Sequence, residues 1–111
     1  IKLAVESGIA EDKIIIDPGI GFGKTFDHNL EIIKNLHEFK YLEKPILIGL
    51  SRKAFIGKIL DDASAPERLE GTAAAVAISI LNGANIIRVH DVKEMKKVAL
   101  VADAVKRMSV D

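Results

Sequence analysis

Three short apolar runs, each followed by a helical pattern and none by a hairpin turn, set the architecture of this 111-residue chain. Residues 13–16 (KIII), 45–50 (PILIGL) and 85–89 (NIIRV) have the length and apolar character of strands covered on both faces. Residues 27–39 place Leu30, Ile33, Leu36 and Phe39 at helical spacing, with Asp27 as the expected N-cap. Residues 52–60 read as a short helix. A long helix is expected from Pro66, a residue favoured at helix starts, to Asn82, with Gly83 closing it. Residues 92–108 form a last amphipathic helix with Met95, Val98, Val101 or Ala102, and Val105 on one face. The opening stretch reads as the last turns of another helix, stopped at Gly8. Strands that alternate with helices form a parallel sheet with right-handed crossovers. The strand ends Asp17, Ser51 and His90 are 34 and 39 residues apart, a rhythm suited to successive units of a (β/α)8 barrel. The expected class is therefore α/β, as three β-α units from the last part of such a barrel. A flavodoxin-like open sheet is the alternative.

Composition narrows the function classes. The 16 basic and 16 acidic residues cancel, so the surface as a whole does not favour nucleic acid or an anionic membrane. The absence of cysteine excludes disulfides and thiolate metal sites. The longest apolar run, Ala73 to Leu81, is far short of the roughly 18–20 residues of a membrane span. No signal-peptide pattern is visible, and a soluble, cytoplasmic protein is expected. There is no initiator methionine, and the chain is expected to be a truncated piece of a larger domain. The long helix lacks charge from Gly71 to Ala84, which predicts burial on both sides. One side would meet the sheet. The other would meet a second copy in a homodimer, or further parts of the same polypeptide.

Each expected strand ends in polar residues: DPGIGFGK, SRK and RVHD. In a parallel barrel these ends share one face, where active sites gather. Asp17, Ser51, Arg52, Lys53, Arg88 and His90 are therefore expected to converge. A strand-end Asp accepts hydrogen bonds only and suits a ligand edge with two parallel N–H groups, such as a guanidine-like heterocycle. It is equally the residue that forms turns before proline. Arg88 and His90, two residues apart, lie on one side of their strand and suit a phosphate. An ion pair with a neighbouring carboxylate such as Asp91 is the structural alternative. The free N–H groups of a helix starting behind Ser51-Arg52-Lys53 would attract an anion.

The stretch GIGFGKT does not meet either nucleotide-binding pattern. Position 18 is Pro where a P-loop needs Gly, and position 24 is Lys where G-x-G-x-x-G needs Gly. These glycines let backbone lie against a flat ligand or take positive φ in a tight turn. His28 and His37 lack metal-ligand spacing and read as solvated helix residues, and Asp61-Asp62 reads as a solvated loop pair.

Together, DPGIGFGK, GLSRKAFIG and ERLEGTAAAVAISILNGANIIRVHDV resemble the C-terminal part of bacterial dihydropteroate synthase, in order and spacing, over essentially the whole chain. The resemblance implies that residues 1–111 are the C-terminal portion of a single TIM-barrel pterin-binding domain, strands 6–8. It implies a parent enzyme that joins p-aminobenzoate to 6-hydroxymethyl-7,8-dihydropterin diphosphate, releasing diphosphate and making a folate precursor, and that is a sulfonamide target. On this resemblance Asp17 grips the pterin, and Gly21 and Phe22 lie beside the pterin and the aminobenzoate ring. Lys53 contacts the pterin, Ser51 cradles the benzoate carboxylate, and Arg52 borders that region. Arg88 and His90 bind diphosphate. Lys53, Arg88 and His90 are the expected catalytic residues. A Mg²⁺ ion is implied, with ligands expected mainly outside this segment. The segment alone is expected to be inactive. Alternatives are a pterin barrel of the methyltetrahydrofolate corrinoid methyltransferase type and a folded, non-catalytic fragment.

Overall fold

A computed structural model describes residues 1–20, 26–50, 54–61 and 63–108. The helices are α1 (Lys2–Glu6), α2 (Phe26–Lys34), α3 (Ala54–Ile59), α4 (Leu69–Leu81) and α5 (Val92–Lys106), and the strands are β1 (Leu47–Gly49) and β2 (Ile86–Arg88). The two strands are parallel, with Leu47 opposite Ile86, Ile48 opposite Ile87 and Gly49 opposite Arg88. A parallel bridge pairs Ile16 with Ile46 on the other side of β1. The Ile16 N–H donates to the Pro45 carbonyl at 2.9 Å and the Leu47 N–H to the Ile16 carbonyl at 2.8 Å. The spatial order is therefore Ile16, β1, β2, which is the order in sequence. This is the expected α/β class, built from three consecutive β-α units.

Side chains alternate across a strand, so each face of the sheet has its own set. Ile46, Ile48 and Leu50 point to one face and are almost wholly buried. They join Leu36, Ile56, Val76, Ile80 and Met95 from the helices in one core. The opposite face carries Leu47, Gly49, Ile86 and Arg88. Helix α4 is central to the helical layer and packs against α2, α3 and α5.

Several local expectations need correction. The strand expected at 13–16 is reduced to the bridge at Ile16; Glu11–Lys13 form a 3-10 turn instead. Ile15 is 51% exposed, because among the described residues the run is paired along one edge only. The helix expected at 27–39 is α-helical only to Lys34 and continues as a 3-10 helix from Leu36 to Leu42. The physical cause lies at the C-cap of α4. Asn82 donates from Nδ2 to the carbonyls of Ile33 (2.9 Å) and Lys34 (3.2 Å), taking the acceptors that another α turn would use. Asp27 sits inside the first turn of α2, so it is not the N-cap.

Pro66 opens a 3-10 turn, Ala65–Arg68, and the α-helix begins only at Leu69. At its end the Gly83 N–H reaches the Ile80 carbonyl and the Ala84 N–H the Ser79 carbonyl, with Gly83 at φ +121. That double bond is a Schellman cap, which needs the left-handed conformation glycine takes freely. Within this chain α4 is buried on one side, through Thr72, Val76, Ser79 and Ile80; Ile78 and Leu81 are each 48% exposed. On α5, Met95 and Ala102 are buried while Val101 and Val105 face outward, so the inner stripe runs through Ala102.

Candidate functional site

Parallel pairing brings the ends of the three segments to one edge of the sheet. Asp17 follows the bridge residue Ile16, Leu50 follows β1, and Arg88 is the last residue of β2, with His90 two residues on. At the usual strand spacing and rise, the Cα atoms of Asp17 and Arg88 lie roughly 12 Å apart, with β1 between them and Arg88 two residues further along. Ser51, Arg52 and Lys53, which follow Leu50, and Gly21 and Phe22 of the glycine loop lie outside the described residues.

Asp17 is exposed and holds the turn expected of an Asp before proline. Its Oδ1 accepts the Gly19 N–H at 2.9 Å, and Gly19 has φ +75. The carboxylate is thereby oriented by one oxygen at the mouth of the glycine loop. Ile20, the next residue, is 1% exposed and anchors the loop entry in the core. Lys58 of α3 stands over the Phe26 ring at 4.7 Å, tying α2 to α3.

Arg88 is exposed at the end of β2. The ion pair with Asp91 is not formed, and no carboxylate among the described residues pairs with this guanidinium. The side chain instead bends over the neighbouring strand. A Cβ placed on Gly49 would stand 2.8 Å from Nη2, 3.2 Å from Nε and 3.3 Å from Cζ of Arg88. His90 is exposed as well and is engaged by a neighbour. The positive charge of Arg88 is thus held over β1, on the side toward Asp17.

Two residues that position this edge were not singled out from the sequence. One is Gly49; a glycine inside an apolar strand run is the only signal that marks it. The other is Asn85. Its Oδ1 accepts the Ile46 N–H at 3.0 Å, and its own N–H donates to the Ile46 carbonyl at 2.9 Å. Asn85 so brackets Ile46, the residue before β1, and sets the register that brings Arg88 opposite Gly49. Among the described residues no group of three or more His, Asp or Glu side chains is placed to hold a metal ion. His28 and His37 are exposed on the helical segments.

Known proteins resemble this arrangement closely. The model of the family "Pterin binding enzyme" matches residues 1–90. The dihydropteroate synthase of Synechocystis is 48% identical over 107 residues, covering 96% of this chain and 37% of that protein. The Bacillus subtilis dihydropteroate synthase is 48% identical over 104 residues, covering 94% of this chain and 36% of its own length. The chain therefore spans little more than a third of the length of these two relatives. Among solved structures, a dihydropteroate synthase from Coxiella burnetii in complex with pteroic acid superposes with a TM-score of 0.92 at 37% identity, over 96% of this chain and 40% of that one. The Yersinia pestis enzyme with a sulfonamide drug superposes with a TM-score of 0.91 at 39% identity, over 95% of this chain and 38% of that one.

Proposed function

This chain belongs to the family of pterin-binding enzymes, and from that premise we propose that it contributes the C-terminal strand ends of a dihydropteroate synthase. The reaction joins p-aminobenzoate to 6-hydroxymethyl-7,8-dihydropterin diphosphate and yields 7,8-dihydropteroate and diphosphate. The observation that supports this reading is the edge where Asp17 and Arg88 stand on either side of β1, an acceptor and a cation that pairs with no carboxylate among the described residues. A ligand with a donor-rich heterocycle at one end and a diphosphate at the other bridges such a pair.

Asp17 accepts the pterin ring N–H and amino group, while its turn with Gly19 holds the carboxylate in place. Arg88 and His90 bind the diphosphate. As the C–O bond to diphosphate breaks, its electron pair leaves on the oxygen, and positive charge builds on the pterin methylene. The Arg88 guanidinium and a hydrogen bond from His90 stabilise the departing anion, where fixed charge counts most. The aniline nitrogen then forms the C–N bond and loses its proton. No protein nucleophile takes part, so positioning carries much of the rate. On the family resemblance, Lys53 contacts the pterin, Ser51 and Arg52 border the benzoate carboxylate, and Gly21 and Phe22 line the rings. The described residues form no cage for Mg²⁺, and the steps above are those of the side chains alone.

The proposal includes a cytoplasmic location; among the described residues no helix is long and apolar enough to cross a membrane. It also includes a homodimer formed through the Ala-rich helix, residues 67–82. The outer side of α4 supports this reading. Ala77 and Leu81 form, with Val98, Val101 and Val105 of α5, an apolar hollow of about 520 Å³.

The test is turnover by the full-length protein. With both substrates it should form 7,8-dihydropteroate and release one diphosphate for each product molecule. Binding of methyltetrahydrofolate in preference to the dihydropterin diphosphate would overturn the reading in favour of a methyl-transferring barrel.

A further inference from the structure

Gly49 occupies a position where glycine is otherwise a poor choice. It lies in the middle of the sheet, paired to β2, and it is buried. Glycine in a strand loses more chain entropy on folding than alanine and packs nothing. Its backbone does not call for it either. The described glycines with positive φ are Gly8, Gly19 and Gly83, so Gly49 takes a φ that any residue adopts. What glycine provides here is space, and the atoms that fill the space belong to Arg88, with Nη2 at 2.8 Å from where a Cβ would stand. Parallel partners in register share a face, so a side chain at 49 would rise directly beneath the guanidinium.

We propose that Gly49 is a positioning residue for Arg88. Bare backbone at 49 lets the guanidinium lie flat across β1 instead of extending from the sheet edge. The charge is then held over the strand that separates Arg88 from Asp17. An anion bound there sits between the two ends of the site rather than outside it. This inference rests on the reading of Arg88 as a diphosphate-binding residue. It adds that the neighbouring strand decides where that charge is presented. The three atoms nearest to a methyl group at 49 all belong to the far end of a flexible side chain. It is therefore relieved by swinging the guanidinium away, with no cost to the backbone. Alanine at this φ should even favour folding slightly, through the unfolded chain.

The test is a double-mutant cycle in the full-length protein, with Gly49→Ala, Arg88→Ala and the pair. Inorganic diphosphate and the free 6-hydroxymethyl-7,8-dihydropterin are titrated separately by calorimetry. Gly49→Ala should melt no lower than the unsubstituted protein. It should weaken diphosphate about tenfold, the order expected for one charge-assisted hydrogen bond. Affinity for the pterin should change less than about twofold, and in the Arg88→Ala background the Gly49→Ala change should have no further effect on diphosphate. Equal losses with and without Arg88 would overturn the proposal, as would a Gly49→Ala protein that fails to fold or binds diphosphate normally. Should Arg88→Ala itself leave diphosphate affinity unchanged, the diphosphate reading of Arg88 fails and this inference with it. A normal Gly49→Ala beside a weakened Arg88→Ala removes only the positioning role.

Discussion

Replacing Asn85 by alanine should destabilise the protein by about 1–2 kcal/mol, through one lost hydrogen bond at the sheet. The Ile46 side chain and backbone are packed inside, at 2% exposure. Its N–H has the Asn85 Oδ1 as partner at 3.0 Å, and its carbonyl accepts from the N–H groups of Asn85 (2.9 Å) and Ile86 (3.1 Å). Alanine keeps both backbone bonds and removes only the side-chain acceptor. A buried N–H left without a partner costs about 1–3 kcal/mol. The bond is part-buried, so water recovers some of that and the lower half of the range applies. Urea unfolding followed by circular dichroism reads the loss directly. With a slope of about 2 kcal/mol per molar urea, the midpoint should fall by roughly 0.5–1 M. Asn85→Asp retains an acceptor in the same place and should lose less than half as much. An alanine variant as stable as the original would refute the reasoning. So would an aspartate variant as weak as the alanine one, since the acceptor would then not be what matters.

Asp17→Asn keeps an oxygen for the Gly19 N–H but turns an amide toward the pterin donors. Calorimetry should show pterin binding weakened by about 1.5–3 kcal/mol and free diphosphate unaffected; equal loss of both ligands would assign Asp17 to folding alone. Gly71→Ala would put a Cβ 2.4 Å from Ile56 Cγ2 and 3.0 Å from Leu60 Cδ1, where α4 meets α3. The crowding should cost about 1–3 kcal/mol despite alanine's better helix propensity, and a raised unfolding midpoint would show that these helices do not pack this closely. Val101→Glu places a charge in the apolar hollow between α4 and α5, at a residue 67% exposed in the single chain. Sedimentation equilibrium should show the dimer giving way to monomer, whereas a dimer as strong as before would move the interface elsewhere.

The β-α order and the positions of the two later strands were legible because each is a local pattern: an apolar run, then helical spacing. The cap at Gly83 was legible for the same reason. The features that depend on distant partners were not. Helix α2 has the spacing to continue to Phe39, yet it changes at Asn35 because Asn82, nearly fifty residues away, takes its carbonyls. Ile14 to Ile16 read as a fully covered strand, but coverage depends on neighbours, and only Ile16 has one on the described side. On α5 the choice between Val101 and Ala102 turned on which fits against α4 at close approach, and the smaller residue faces inward. At the candidate site, the strand-end residues themselves were visible from their residue types. The geometry that makes them useful was not: the Asn85 bracket and the vacancy at Gly49 exist only once β2 lies beside β1.

The central claim is that Asp17 and the Arg88–His90 pair serve two ends of one ligand. A crystal structure of the full-length protein with 6-hydroxymethyl-7,8-dihydropterin diphosphate tests it most directly. The account predicts the heterocycle's donors on the Asp17 carboxylate and the diphosphate on Arg88 and His90, with the guanidinium still lying across Gly49. A ligand bound away from this edge, or one that touches Asp17 while its diphosphate points away from Arg88, would contradict it.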